Sequence, residues 1–138
     1  MNQVTPVALL RWIAVVPAGV LGWYLALLTG LTLLSGATAL CPADRMVSGA
    51  CVAPLFPYVE TAIIYVSVAL AAFLVVELPV LTAPRWRSTV AWVAFVAGLM
   101  LATYFVVYTT MIVEFVIALI IGLLSVAGVV RAERRRPR

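Results

Sequence analysis

The sequence predicts an all-α integral membrane protein whose four transmembrane helices form an antiparallel bundle. Hydrophobic residues make up 66% of the 138 residues and charged residues only 10%, against roughly 45–50% and about 25% in soluble domains. Because a span of about 20 helical residues crosses a hydrocarbon core of roughly 30 Å, the apolar stretches are long enough to cross or nearly so. They comprise residues 12–34, 59–81, 90–107 and 111–130. We expect one domain, since the connecting segments are too short to fold alone.

The first apolar stretch is predicted to remain in the protein as a span. Ala37-Thr38-Ala39 resembles the small-residue site at which a signal peptide is cleaved. However, residues 12–34 form an apolar run well beyond the usual hydrophobic region of about 7–15 residues in such peptides. We therefore expect a retained transmembrane helix.

The third and fourth spans are separated by a short polar break rather than by a charged loop. Residues 90–130 are apolar throughout most of their length, which is too much for one ordinary span. The sequence Tyr108-Thr109-Thr110 divides this stretch into two parts of about the required length. At the end of the second span, Pro79 and Pro84 mark the exit of the helix, because proline lacks the amide donor that a continuing helix needs.

The distribution of the nine arginines predicts the orientation. Eight of them would share one side of the membrane with both termini, and only Arg45 would lie on the other side. Because cationic residues resist translocation, we expect both termini to be cytoplasmic in a multi-pass protein of a bacterial-type inner membrane. The basic tail, residues 131–138, is expected to contact anionic lipid headgroups. It lacks the aromatics or folded basic face of a nucleic-acid site, so no nucleic-acid partner is expected.

The segment between the first two spans, residues 35–58, is predicted to be an outer loop containing Cys41 and Cys51. On the extracytoplasmic side disulfides persist, so we expect these two cysteines to be bonded. A redox couple is the alternative, but redox carriers usually show a Cys-x-x-Cys pair. A metal site would need further ligands, and the chain has no histidine.

Small residues recur at every fourth position in three of the spans, which places them on one face of each helix. Such a face allows another helix backbone to approach closely, so we expect packing within the chain, and docking of a partner helix is a second interpretation. The residues are Ala14, Ala18, Gly22, Ala26 and Gly30 in the first span, Ala94, Gly98 and Ala102 in the third, and Ala118 and Gly122 in the fourth.

Three carboxylates near or within the spans are the candidate ion or ligand sites, because acids are costly in a bilayer and often functional. Glu60 lies at the outer start of the second span and is expected to be solvated. Glu77 lies near the inner end, within predicted reach of Arg11, Arg85 or Arg87, where an ion pair would explain it. Glu114 lies near the outer hairpin. It either reaches the surface and bonds to a tyrosine or threonine, or occupies a dehydrated pocket that binds a proton, cation or cationic ligand.

Hydroxyl groups form a further polar stripe near the outer end of the first helix, at a spacing of three residues. The stripe consists of Thr29, Thr32, Ser35 and Thr38. Such hydroxyls usually bond to carbonyls of their own helix, and lining a wet vestibule is the alternative.

The residue types that are absent limit the chemistry. Without lysine the chain offers no Schiff base, and without histidine it lacks the usual general base and the commonest haem and zinc ligand. No glycine-rich phosphate loop is present. We therefore expect no enzyme activity, no cofactor and no metal. Two functions remain. The first is a non-enzymatic accessory subunit that binds another membrane protein or itself as a homo-oligomer. The second is a small oligomeric proton- or cation-coupled transporter or channel that uses Glu114, either alone or together with Glu60 or Glu77.

Overall fold

The structure, a computed structural model, describes residues 6–135 of the chain. The part described contains four helices, each of which is long and apolar enough to cross a membrane. Their bounds are α1 (Pro6–Ala39), α2 (Phe56–Thr82), α3 (Arg87–Thr109) and α4 (Ile112–Arg134). The predicted architecture is therefore confirmed as far as four helices that are long and apolar enough to span a membrane. The last three residues of the basic tail, which include Arg136 and Arg138, lie outside the described residues.

The helices extend beyond the apolar stretches from which they were predicted. The 34 residues of α1 correspond to a length of about 51 Å at 1.5 Å per residue. This helix continues through Ser35 and Thr38, whose hydroxyls donate to carbonyls of the preceding turn and so have a partner within the helix. It ends just before Cys41, whose helical conformation is disfavoured by the following Pro42. The sequence predicted that the outer connection begins at Ser35. In the structure it begins at Leu40.

The other helices end at two well-defined turns. Thr110 adopts a left-handed conformation with φ of 56°, and its N–H donates to the Val106 carbonyl at 2.9 Å. This is the usual way in which a helix closes its last turn, and it places the break between α3 and α4 where the polar residues predicted it. At the opposite end, the Ala83 N–H donates to the Pro79 carbonyl at 3.0 Å and closes α2.

The helices do not pack equally. α2, α3 and α4 all contact one another, whereas α1 packs chiefly along α2. Most of the buried apolar side chains lie near the end of the bundle where the chain turns from α2 into α3. The buried cluster consists of Val76, Val80, Ala83, Val90, Ala91, Phe95 and Val126.

Glycines in α1 allow the closest approach between helices. A Cβ atom added at Gly22 would lie 2.8 Å from the Leu74 carbonyl oxygen and 2.9 Å from its carbonyl carbon. One added at Gly30 would lie 2.5 Å from the Ser67 hydroxyl oxygen. Because both neighbours are in α2, two of the small residues of α1 lie directly against that helix. Ala18 and Ala26, from the same predicted face, are buried, and Ala14 is partly exposed.

The small residues of α3 and α4 also lie close to neighbouring side chains. A Cβ atom at Gly122 would be 2.7 Å from two ring carbons of Phe95, so this glycine makes room for an aromatic ring of α3. A Cβ atom at Gly98 would be 3.6 Å from a methyl group of Val75 in α2. The remaining members, Ala94, Ala102 and Ala118, are partly exposed. Docking of a partner helix on these faces remains a prediction.

Candidate functional site

The connection between α1 and α2 is a short structured loop closed by a disulfide. Cys41 and Cys51 are bonded, with their Cα atoms 6.0 Å apart, and this confirms the pairing predicted from the sequence. Between them a 3₁₀ turn, Ala43–Arg45, leads into a hairpin of two short antiparallel strands, β1 (Met46–Val47) and β2 (Ala50–Cys51). The disulfide therefore joins the start of the loop to the second strand of the hairpin.

The hairpin depends on two residues with positive φ. Ser48 and Gly49 have φ of 52° and 82°, and two central residues in this region are what a two-residue type I′ turn requires. The Val52 N–H donates to the Arg45 carbonyl at 2.9 Å, which continues the pairing beyond the strands. This hairpin was not predicted from the sequence. The Ser-Gly dipeptide was the available signal, but strands of two residues show no alternation.

The loop presents apolar side chains to its surroundings. Val47 and Val52 are 57% and 54% exposed, and Leu40 and Leu55, at the two ends of the loop, are 86% and 73% exposed. Polar groups accompany them: Asp44 and Arg45 form an ion pair at 3.5 Å. The loop is thus closed by a disulfide and carries exposed aliphatic side chains at four positions.

Breaking the disulfide is expected to loosen this loop. In Cys41→Ser/Cys51→Ser, the chain-entropy relation for a loop of this length predicts a loss of about 2.5–3 kcal/mol in the free energy of unfolding. Thermal unfolding in detergent with and without the substitutions would measure it, with reduction of the native protein as a second route to the same state. A native protein whose unfolding is insensitive to reductant, and whose peptides carry free thiols in mass spectrometry, would contradict the prediction.

Among the described residues, the two candidate carboxylates near the loop end of the helices form no ion pair. Glu114 lies in the first turn of α4 and is partly buried, and Glu60 is exposed near the start of α2. Within residues 6–135, the only ion pair joins Asp44 and Arg45 in the loop. The predicted alternatives for Glu114, a surface group or a buried binding site, therefore both remain predictions.

Glu77 lies at the opposite end of the bundle, in a cavity of about 420 Å³. The cavity is also lined by Arg85 and Arg87, two of the three residues predicted to pair with this carboxylate. In the part of the chain that the structure describes, neither arginine nor Arg11 forms an ion pair with Glu77. The lining of the cavity therefore carries charges of both signs, with no ion pair between Glu77 and these arginines.

A second carboxylate in this region is not among the candidates identified from the sequence. Glu133, in the last turn of α4, accepts a hydrogen bond from the Ser88 N–H at 3.1 Å and lines the same cavity. It therefore satisfies one of the free amide donors at the start of α3. The available signal was an acid among the arginines of the tail, but its partner is 45 residues away in sequence.

The candidate carboxylates are divided between the two ends of the bundle. Glu114 and Glu133 are 19 residues apart in α4, which corresponds to about 28 Å along the helix. Glu77 shares a cavity with Glu133 and so belongs to the far end from Glu114. Among the described residues, no three cysteine, aspartate or glutamate side chains are grouped in a way that would hold a metal ion.

The hydroxyl stripe of α1 is used within its own helix. Thr29, Thr32, Ser35 and Thr38 each donate to a carbonyl three or four residues earlier, at 2.7 to 3.0 Å. The first of the two interpretations of this stripe is therefore the one that the hydrogen bonds support. These groups need no water or ligand to satisfy their donors.

No protein-family model, no curated protein and no solved structure matches this chain.

Proposed function

We propose that the chain is a non-enzymatic accessory or interaction subunit of a membrane complex, located in a bacterial-type inner membrane. The disulfide-closed hairpin with its exposed Val47 and Val52 is the observation that carries this proposal. A surface that is ordered before binding loses less conformational entropy in the complex. The partner is a second membrane protein whose outer surface accepts an aliphatic loop.

The packing of the helices supports the outer loop as the main contact. The space beside Gly22 is already occupied by Leu74, and the space beside Gly122 by Phe95, both from neighbouring helices. These two glycines therefore contribute to packing within the chain.

Two substitutions in the hairpin test the proposal. Val47→Asp replaces an exposed apolar group by a charge, whereas the matched control, Ser48→Asp, adds the same charge at the next residue without removing apolar surface. We expect Val47→Asp to reduce the amount of partner recovered with the chain by at least about tenfold, the factor that corresponds to 1.4 kcal/mol. Equal recovery with both variants would contradict the proposal, as would recovery of the chain alone from native membranes.

The proposal places the loop outside and both termini in the cytoplasm, as the arginine distribution supports. A single cysteine introduced at Ser48 should react with a membrane-impermeant maleimide in intact cells. Cys41 and Cys51 should not react, because they are bonded to each other. A cysteine at Thr89, which is exposed at the start of α3, should react only after permeabilisation. The reverse pattern would overturn the orientation.

A proton or cation transporter is the second candidate, favoured by the partly buried position of Glu114 within an apolar helix. Glu114→Gln keeps the shape and hydrogen bonding of the side chain but removes its titratable charge. Under the interaction proposal, membrane insertion and partner recovery should remain within about twofold of wild type, since Glu114 lies outside the hairpin and the substitution preserves the shape of the side chain. Proton flux into proteoliposomes that is abolished by Glu114→Gln, in a stably inserted protein, would favour the transporter.

A further inference from the structure

The cavity at the arginine-rich end of the bundle combines features that together suit a specific ligand. It is a cleft of about 420 Å³, open on one side, between the end of α2, the start of α3 and the end of α4. Apolar side chains of Val80, Leu81 and Val129 line part of its wall. These residues lie near the ends of helices that are long and apolar enough to span a membrane, where the boundary between hydrocarbon and headgroups is expected.

The charged lining of this cavity is mixed in sign. Arg85 and Arg87 contribute two guanidinium groups, and Glu77 and Glu133 contribute two carboxylates. Within residues 6–135 no ion pair joins these groups to each other. Opposite charges that line one cavity without pairing are complementary to a ligand that itself carries both signs.

The turn that holds the two arginines is strained. Trp86, between them, has φ of 56°, a left-handed conformation that is uncommon for bulky residues. Its side chain is 71% exposed, as is usual for tryptophan at the level of lipid headgroups. Unfavourable backbone conformations persist where the surrounding structure holds them, often at ligand sites.

We propose that this cavity binds the headgroup of an aminophospholipid, with its phosphate at Arg85 and Arg87 and its ammonium at Glu133. Guanidinium groups match phosphate oxygens in geometry and charge, and the start of α3 adds the partial positive charge of a helix N-terminus. The acyl chains would follow Val80, Leu81 and Val129. This site is independent of the partner proposed above.

The assignment of Glu133 rather than Glu77 to the ammonium follows from the order of groups across a bilayer. In an aminophospholipid the ammonium lies on the water side of the phosphate. Glu133 is exposed in the last turn of α4, whereas Glu77 lies five residues before the end of α2. One carboxylate oxygen of Glu133 accepts the Ser88 N–H, and the carboxylate has further lone pairs for an ammonium donor.

Native mass spectrometry of the purified full-length protein can test the proposal, with phosphatidylethanolamine and phosphatidylcholine of identical acyl chains as probes. Both lipids carry one phosphate and one positive charge, but only the primary ammonium donates hydrogen bonds. We expect the first molecule of phosphatidylethanolamine to bind at least about tenfold more tightly, and Glu133→Gln to remove that preference. Glu77→Gln, which removes the same charge from the same cavity, should preserve it.

Substitution of the arginines provides a second test of the proposal. Arg85→Gln/Arg87→Gln should weaken binding of both lipids by about 30-fold, which is about fivefold for each cationic group. Arg131→Gln/Arg134→Gln removes equal charge from residues outside the cavity and should change binding by less than about threefold. Equal losses in the two double variants would overturn the proposal and leave only a general attraction of the basic end for lipid.

A steric variant keeps the test valid if the charge variants fold poorly. Gly128 lines the cavity, and a Cβ atom added there meets nothing within 4 Å, so Gly128→Leu should fill the cavity without disturbing the helices. Gly128→Leu should weaken the binding of phosphatidylethanolamine by at least about tenfold. Gly36→Leu, at an equally open position of α1, should leave this binding unchanged. Unchanged binding in Gly128→Leu, or equally tight binding of soluble glycerophosphoethanolamine, would contradict a membrane-lipid site.

Discussion

Replacing Gly22 with alanine should destabilise the protein more than any other small substitution in α1. The new methyl group would lie 2.8 Å and 2.9 Å from backbone atoms of Leu74, and a helix backbone cannot move aside as a flexible side chain can. The two helices must separate along the face that α1 uses to pack on α2. We expect a loss of about 2–3 kcal/mol in the free energy of unfolding, in the upper range for an overpacked contact.

Gly36 supplies the matched control for this prediction. It lies in the same helix, and a Cβ atom there meets nothing within 4 Å. Because alanine favours helix over glycine by up to about 1 kcal/mol, Gly36→Ala should be neutral or stabilising. Reversible unfolding of both variants in mixed detergent micelles measures the difference. Similar free energies for the two variants would show that α1 does not pack on α2 through Gly22.

A second large effect is expected at Gly122, where the contact is with an aromatic ring. In Gly122→Ala the added methyl would lie 2.7 Å from two ring carbons of Phe95, which is itself only 8% exposed. The ring is confined by the buried cluster and cannot move freely, so we expect a loss of about 1–3 kcal/mol. Gly128→Ala, in an open position of the same helix, should not destabilise the protein.

A double variant distinguishes a direct clash from a loss of helix flexibility. Phe95→Leu removes Cε2, one of the two ring atoms that the new methyl would meet, and leaves a smaller, more mobile side chain, so Gly122→Ala should cost less in that background than in wild type. The same unfolding measurement gives the coupling between the two sites. Strictly additive losses would place the effect of Gly122→Ala elsewhere than at Phe95.

The sequence was sufficient to predict the number of spans and the break between α3 and α4. Both depend on local properties, namely the length of the apolar stretches and three adjacent polar residues at Tyr108-Thr109-Thr110. The disulfide was also predictable, because the chain contains just two cysteines in one short connection. The ends of α1 were less accessible to prediction, since Ser35 and Thr38 are polar yet bond to their own helix.

The way the helices pack was not predictable from the apolar pattern. A membrane helix is apolar on its lipid face as well as on its packed face, so hydrophobic periodicity does not distinguish the two. Small residues indicated candidate faces, but the sequence could not show that Gly22 meets Leu74, or that Gly122 meets Phe95.

The charged cavity was likewise inaccessible to sequence analysis, for a different reason. Arg85 and Arg87 are in the α2–α3 turn, and Glu133 is near the end of α4. Only the tertiary fold brings them together, through the bond from the Ser88 N–H to Glu133. Glu77 was predicted at this end of the membrane, but as a member of an ion pair rather than as part of a mixed-charge lining.

The mass of the particle that contains this chain tests the proposed function most directly. The chain would be extracted from native membranes in polymer nanodiscs, without detergent, and its assemblies weighed by native mass spectrometry. An interaction subunit predicts a particle in which the 14.8 kDa chain is joined to a different membrane protein in a fixed ratio. Particles that contain only single copies or symmetric oligomers of this chain, with no second protein, would contradict the proposal.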